Sequence, residues 1–216
     1  MTRLDLKARA LAICLSALAG FVDAIGFLGT GGFFVSFMSG NSTRLGVGFV
    51  DGAGAAVMAA GLVGSFVGGV MIASLLKRKV RSGKRSFMLL LVSLLLSAGA
   101  ICAGLGLPTA AFALAAAAMG AENMVFEDGG EVQIGLTYMT GALVKIGQRL
   151  ALALSGGSPW SWLPFLLLWI GLITGGAMGA LCFFRWGMSA LWIAAGLAGL
   201  LAIVVGPDAN VSKARG

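Results

Sequence analysis

Apolar residues fill six long stretches of the chain, and most polar residues lie in the gaps between them. The stretches are Ala10–Gly29, Ala55–Leu76, Phe87–Gly106, Thr109–Phe126, Leu163–Phe184 and Met188–Val205. A helix needs roughly 20 apolar residues to cross the hydrocarbon core of a bilayer. A segment in lipid must also satisfy its own backbone hydrogen bonds. The pattern therefore predicts an all-α membrane protein with about six transmembrane helices.

Two further apolar stretches, Phe33–Val50 and Ile134–Leu154, carry several polar residues and lie between the first and second and between the fourth and fifth long stretches. If both crossed the membrane fully, the protein would have eight crossings and its two halves would be parallel. We favour re-entrant or half-membrane helices, because this arrangement keeps the basic segments on one side of the membrane.

The two halves of the chain resemble each other. Five residues of the second long stretch recur in the fifth at an offset of 107 residues, and Arg78 and Arg185 just beyond the two stretches make a sixth match. The five include Gly64, Gly68 and Gly69, matched by Gly171, Gly175 and Gly176. Such glycine spacings are typical of close helix contacts, here along Gly64 and Gly68 and along Gly171, Gly175 and Gly179.

A second match aligns Met38–Gly46 with Met139–Gly147, which divides the chain into repeats at 1–106 and 107–216. Each repeat holds three crossings, an odd number, so the second must enter the membrane from the opposite side. Inverted repeats are typical of secondary transporters, with the binding site at the repeat interface. They also build channels.

The composition supports a lipid bilayer as the main partner. Of the 216 residues, 59% are hydrophobic and 11% are charged, whereas soluble domains carry about 25% charged residues. The sequence has no histidine, and Cys14, Cys102 and Cys182 are widely separated. We therefore expect no metal site, no cofactor and no enzymatic activity.

The net charge of +7 does not indicate nucleic acid as a partner, because most of the cations collect on one predicted side of the membrane. Cytoplasmic loops of membrane proteins are rich in Lys and Arg. With the short basic loop inside, thirteen of the fifteen Lys and Arg residues are cytoplasmic, and Arg44 and Arg185 are outside. The thirteen are Arg3, Lys7, Arg9, Lys77, Arg78, Lys79, Arg81, Lys84, Arg85, Lys145, Arg149, Lys213 and Arg215. Both termini are then predicted to be cytoplasmic.

The run Gly20–Asp23, followed by Phe37–Gly46 with its Ser39-Gly40-Asn41-Ser42-Thr43-Arg44 core, resembles the YoaK-like family of uncharacterised bacterial inner-membrane proteins. The resemblance covers essentially the whole chain, including the second run at Tyr138–Gly141. It implies a multi-pass protein of the bacterial inner membrane and no established activity. This chain departs from the family pattern in the acidic stretch Glu127–Glu131.

The matched polar segments are the candidate binding site. A short helix beginning near Ser39 or Thr140 would have a hydroxyl N-cap, and its unpaired N–H groups would attract an anion. Arg44 and Lys145 follow about one turn later. The predicted substrate-binding residues are Ser39, Gly40, Asn41, Thr43, Arg44, Thr140, Gly141 and Lys145. The equally weighted alternative is that these residues only pack helices and that the two cations reach the interface.

Asp23 and Glu122 lie within the first and fourth long stretches, where an ionised carboxylate needs a partner. Arg44 and Lys145 are the expected partners, each within its own half. The favoured interpretation is a structural ion pair, and the alternative is a carboxylate that couples transport to protons.

The sequence therefore predicts a transporter or channel for a small solute, an anion being one option. The alternative is a membrane assembly or signalling protein that acts through its basic cytoplasmic loop. The substrate, the coupling ion, the choice between channel and carrier, and the oligomeric state are left open.

Overall fold

Helices make up nearly all of the structure, a computed structural model that describes residues 6–128, 131–132 and 135–206. The helices are α1 (Leu6–Thr30), α2 (Met38–Asp51), α3 (Ala53–Lys79), α4 (Lys84–Gly104), α5 (Pro108–Glu122), α6 (Met139–Leu154), α7 (Leu163–Trp186) and α8 (Leu191–Val205). Short 3-10 turns follow α5 at Asn123–Phe126 and α7 at Gly187–Ala190. The two-residue strands β1 (Glu127–Asp128) and β2 (Glu131–Val132) pair antiparallel.

All six long apolar stretches are helical, so the all-α prediction is confirmed for the described residues. Five continuous helical runs are long and apolar enough to cross a membrane, and the last of them, Leu163–Val205, contains both α7 and α8. Gly187, with φ +57°, interrupts this run between the two helices. Arg3, Lys213 and Arg215, used above to predict the topology, lie outside the described residues.

The two apolar stretches that carry polar residues, Phe33–Val50 and Ile134–Leu154, form α2 and α6, which have 14 and 16 residues. At 1.5 Å per residue they measure about 21 and 24 Å, less than the hydrocarbon thickness of about 30 Å. Both helices begin later than the apolar stretches do. The expected hydroxyl N-caps are wrong: the residues before the helices are Phe37 and Tyr138, and neither makes a side-chain cap.

Two pairs of long helices pack closely in the same manner, α1 with α7 and α3 with α5. A Cβ added to Gly175 would collide with the Ala17 carbonyl, and one added to Gly69 would collide with the Ala117 carbonyl. Equivalent positions in α1 and α5 are therefore 100 residues apart in the sequence, and equivalent positions in α3 and α7 are 106 residues apart. Gly20 against Leu172 and Gly120 against Phe66 follow the same two offsets.

This spatial register corrects part of the glycine prediction. Gly171, Gly175 and Gly179 lie against the backbone of α1, as expected for a close contact. Gly64 and Gly68 instead face open space, and the contact on α3 is made by Gly69. The counterpart of Gly175 is therefore Gly69, one position away from the residue that the sequence identities align with it.

Helices α4 and α8 run antiparallel against each other. The Ser86 hydroxyl donates a hydrogen bond to the Ala202 carbonyl at 2.7 Å, and the Ser93 hydroxyl donates to the Ala195 carbonyl at 2.8 Å. Residue numbers therefore rise along α4 as they fall along α8. These bonds also satisfy the serine hydroxyls within a largely apolar contact.

Candidate functional site

A cavity of about 710 Å³ lies where the segments preceding α2 and α6 come together. Most of its wall comes from these two segments and the first turns of their helices, and the remainder comes from α3 and from the 3-10 turn after α5. The lining residues are Ser36, Phe37, Met38, Ser39, Phe66, Val70, Asn123, Met124, Gly135, Thr137, Tyr138, Met139 and Thr140. Both halves of the chain therefore contribute matched residues to one space.

The segment before α2 is held in place by the side chains of two helices. Asp23 of α1 accepts hydrogen bonds at Oδ1 from the backbone N–H groups of Val35 and Ser36, both at 2.8 Å. Asn41 of α2 is fully buried; its Oδ1 accepts from Phe34 N at 3.0 Å and its Nδ2 donates to Phe34 O at 2.6 Å. These bonds satisfy an extended backbone that has no helical partners.

The second half has a related arrangement with different side chains. Asn123 stands 100 positions after Asp23, and its amide lies 3.3 Å from the Thr137 hydroxyl, in the segment before α6. The aromatic residues before the two helices also correspond, because Phe37 packs beside Gly40 and Tyr138 packs beside Gly141. The cavity thus has related walls on its two sides.

The structure does not form the two expected ion pairs. Asp23 binds backbone N–H groups, and the guanidinium of Arg44 lies over the Phe33 ring, with Cζ 4.8 Å from the ring centre. The ammonium of Lys145 lies 5.4 Å from the centre of the Phe165 ring. Among the described residues the one salt bridge joins Lys77 and Glu127. The prediction failed because the backbone of the extended segment, whose conformation the residue types do not reveal, lies closer to Asp23.

Glu122 has a different environment from Asp23. It is fully buried, and neither of its carboxyl oxygens has a hydrogen-bond partner in the described part of the chain. By the offset of 100 residues, its counterpart in α1 is Val22, and the counterpart of Asp23 is Asn123. Glu122 and Asp23 are therefore not equivalent residues.

The end of α3 supports the cavity wall formed by Met124. The Lys77 ammonium is buried; it donates hydrogen bonds to Met124 O at 2.7 Å and Glu127 O at 2.6 Å, and lies 2.8 Å from Glu127 Oε2. The Ser74 hydroxyl donates to Met124 Sδ at 3.2 Å. One residue of the predicted basic loop is therefore a buried internal contact and is not available to a partner.

Of the predicted site residues, Ser39 and Thr140 line the cavity, whereas Gly40, Asn41, Thr43, Arg44, Gly141 and Lys145 are outside its lining. The lining residues absent from the predicted set include Ser36, Asn123, Thr137 and Tyr138. The hydroxyls at 36 and 137 occupy matched positions immediately before the short helices, which is the sequence signal that could have identified them. In residues 6–128, 131–132 and 135–206, no group of three His, Cys, Asp or Glu side chains could hold a metal ion.

The family described as "Protein of unknown function (DUF1275)" matches residues 11–204, which include every helix that forms the cavity. The chain belongs to this family. The predicted membership of an uncharacterised bacterial membrane-protein family is thereby confirmed.

A relative of this DUF1275 protein is the "UPF0700 transmembrane protein RA0705" of Rhizobium meliloti (strain 1021). The two are 38% identical over 191 residues, which cover 85% of this chain and 80% of the relative. The description of the relative as a transmembrane protein agrees with the apolar helices seen here. No solved structure matches the chain.

Proposed function

We propose that this DUF1275 protein is a non-enzymatic transport pathway of the bacterial inner membrane, a carrier or channel whose small solute occupies the cavity between α2 and α6. The observation that carries the proposal is the shared lining. Residues 36–39 and 135–140, from different halves of the chain, meet around one cavity of about 710 Å³. Irregular backbone at membrane depth is tolerated where it is buried in protein or lines such a space.

In this proposal the two halves are inverted repeats, with six crossings and both termini in the cytoplasm. The antiparallel contact between α4 and α8 supports this orientation, because these helices are counterparts in the two halves. Eight full crossings would make α4 and α8 parallel. Neither α2 nor α6 belongs to the helical runs that are long and apolar enough to cross a membrane, which also favours half-membrane helices.

The proposed solute is a small monovalent anion. Ser39 and Thr140 are the second residues of α2 and α6. In the first turn of α2 the N–H groups of Met38 and Gly40 donate to Ser36 O and Phe37 O, whereas those of Ser39 and Thr140 have no backbone acceptor among the described residues. Two helix N-termini at one cavity favour a negative charge. The described lining contains no Asp or Glu, which would oppose an anion, and no Lys or Arg, which a multivalent anion would require.

The first test replaces the cavity hydroxyls. Ser39→Ala combined with Thr140→Ala is expected to reduce uptake of chloride or thiocyanate into proteoliposomes by about tenfold, since each lost hydrogen bond contributes about 0.5–1.5 kcal/mol. Ser42→Ala is the matched control, because the Ser42 hydroxyl donates to Met38 O on an exposed part of the same helix.

Arg44→Ala and Lys145→Ala are expected to leave most of this uptake, because both cations lie against aromatic rings outside the cavity lining. The proposal would fail if the wild-type protein moved neither anion. It would also fail if the hydroxyl variants and the Ser42→Ala control retained equal uptake.

A further inference from the structure

Glu122 occupies a position that the fold fills with an aliphatic side chain in the other half. It is the last residue of α5 and is fully buried, and Val22 is its buried counterpart in α1. Both carboxyl oxygens of Glu122 lack a hydrogen-bond partner in the part of the chain that the structure describes. The architecture therefore does not require an acid here, and packing gives the acid no compensating contact.

A buried carboxyl group without a partner is unfavourable in either protonation state. The ionised form loses its hydration without gaining a counter-ion. The neutral acid still leaves a donor and an acceptor unsatisfied. Ionisable residues with this placement inside a membrane are candidates for proton relays and ion pathways.

The position of Glu122 connects it to the cavity wall. The next residue, Asn123, begins the 3-10 turn, lines the cavity and hydrogen-bonds with Thr137. A charge on the Glu122 carboxylate is therefore located at the junction between α5 and the 3-10 turn that lines the cavity. We propose that Glu122 binds and releases the proton that accompanies the solute, a role that rests on the proposed transport function.

The charged groups that neighbouring elements carry near this end of α5 already have other contacts. Lys77 of α3 binds Glu127 and Met124 O, and Asp23 of α1 accepts from two backbone N–H groups. Arg85 of α4 lies over the Phe126 ring, 5.4 Å from its centre. Since no cation among the described residues pairs with Glu122, a proton is the species that neutralises it.

The proposed step forms and breaks only one O–H bond. The carboxylate takes a proton from water on one side of the membrane and releases it to water on the other. If one proton moves in the same direction as one monovalent anion, no net charge crosses the bilayer.

The experiment uses the full chain in proteoliposomes that contain a pH-sensitive dye, with an inward gradient of chloride or thiocyanate. Wild type is expected to acidify the interior as the anion enters. Glu122→Gln is expected to retain anion uptake down its gradient but to lose at least nine-tenths of the acidification. Equal acidification in both proteins, or anion uptake by wild type without acidification, would overturn the proton-binding role.

An infrared measurement tests Glu122 separately from transport. Wild type transferred from H₂O to D₂O is expected to show a shifted carboxylic-acid carbonyl band that is missing in Glu122→Gln. If no anion moves but this band shifts, the transport proposal fails while the proton site stands. A band that does not shift means that the proton never exchanges, and the proposed role of Glu122 fails. Glu122→Val, which copies Val22, controls for folding and is expected to melt at or above the wild-type temperature.

Discussion

Gly69 of α3 lies directly against the Ala117 carbonyl of α5, whereas its neighbour Gly68 faces open space. Gly69→Ala is therefore expected to lower the free energy of unfolding by about 1–3 kcal/mol, because the added methyl group must push two helix backbones apart. Gly68→Ala is the matched control. Its effect is expected to remain within about 1 kcal/mol of wild type, since alanine stabilises a helix slightly relative to glycine.

Thermal unfolding in detergent, followed by circular dichroism, compares the two glycine variants. Equal melting temperatures would contradict the close contact between α3 and α5. The sequence predicts glycine contacts on α3 at Gly64 and Gly68, because these two have the four-residue spacing typical of close helix contacts. The contact depends on which side of the helix meets its neighbour, and residue identities do not encode that direction.

Asp23 shows the same limit of sequence reasoning at the site. Its carboxylate was correctly expected to need a partner, but the partner is the backbone of residues 35 and 36. Any residue type can supply a backbone N–H group, so composition gives no sign of such a bond. The sequence prediction names Glu122 together with Asp23 because both are acids, although Asn123 is the residue that lies 100 positions after Asp23.

The sequence predicts α2 and α6 as half-membrane helices because polar residues interrupt these stretches and because two further full crossings would separate the basic segments. The predicted starts near Ser39 and Thr140 lie within one residue of the observed starts at Met38 and Met139. The residues before α2 are apolar, including Phe33, Phe34 and Val35, so periodicity alone favours extending the helix through them. Instead, this segment is held outside the helix because Val35 N donates to Asp23 and the backbone of Phe34 exchanges two hydrogen bonds with the Asn41 side chain.

Lys77 at the end of α3 binds the segment after α5, where it contacts two carbonyl oxygens and one carboxylate. Lys77→Met is expected to lower the free energy of unfolding by about 1.5–3 kcal/mol, the range for hydrogen bonds to a charged group. Glu127→Gln is expected to have a smaller effect, because the two carbonyl contacts of Lys77 remain.

Chemical or thermal unfolding of the two variants checks this order, with Lys79→Met as the control at an exposed position of the same helix end. If Lys79→Met lowered the free energy of unfolding as much as Lys77→Met, the effect would come from the net charge of the basic loop and not from the contacts of Lys77. On α7, the residue 106 positions after Lys77 is Phe183, which packs beside Gly29. The corresponding ends of α3 and α7 are therefore held by different contacts, hydrogen bonds and a salt bridge at Lys77 and apolar packing at Phe183.

At the scale of the whole molecule, α1 of the first half packs on α7 of the second, and α5 of the second half packs on α3 of the first. Exchanging the two halves therefore converts one helix pair into the other. The antiparallel contact between α4 and α8 fits the same relation, because exchanging the halves puts α4 in the place of α8 and α8 in the place of α4. The sequence predicted this duplication from short matching motifs. It could not predict that the cavity would form on one side of the arrangement, next to Phe66 and Val70 of α3.

The proposed inversion makes a prediction about the ends of α2 and α6. Asp51 ends α2 and Leu154 ends α6, and both are exposed in the structure. If each short helix starts at the central cavity and returns to the side from which its segment entered, the two ends emerge on opposite sides of the membrane. Six crossings then put residue 51 outside and residue 154 in the cytoplasm.

Single cysteines test this in a variant whose three native cysteines are replaced by alanine. A membrane-impermeant maleimide applied to intact cells is expected to label Asp51→Cys and to leave Leu154→Cys unlabelled until the membrane is opened. Arg185→Cys and Arg81→Cys serve as the outside and cytoplasmic references. Labelling of positions 51 and 154 from the same side would require an arrangement other than inverted repeats. The helix N-termini at the cavity would then belong to two segments that enter from one surface, and the inverted-repeat part of the proposed function would fail.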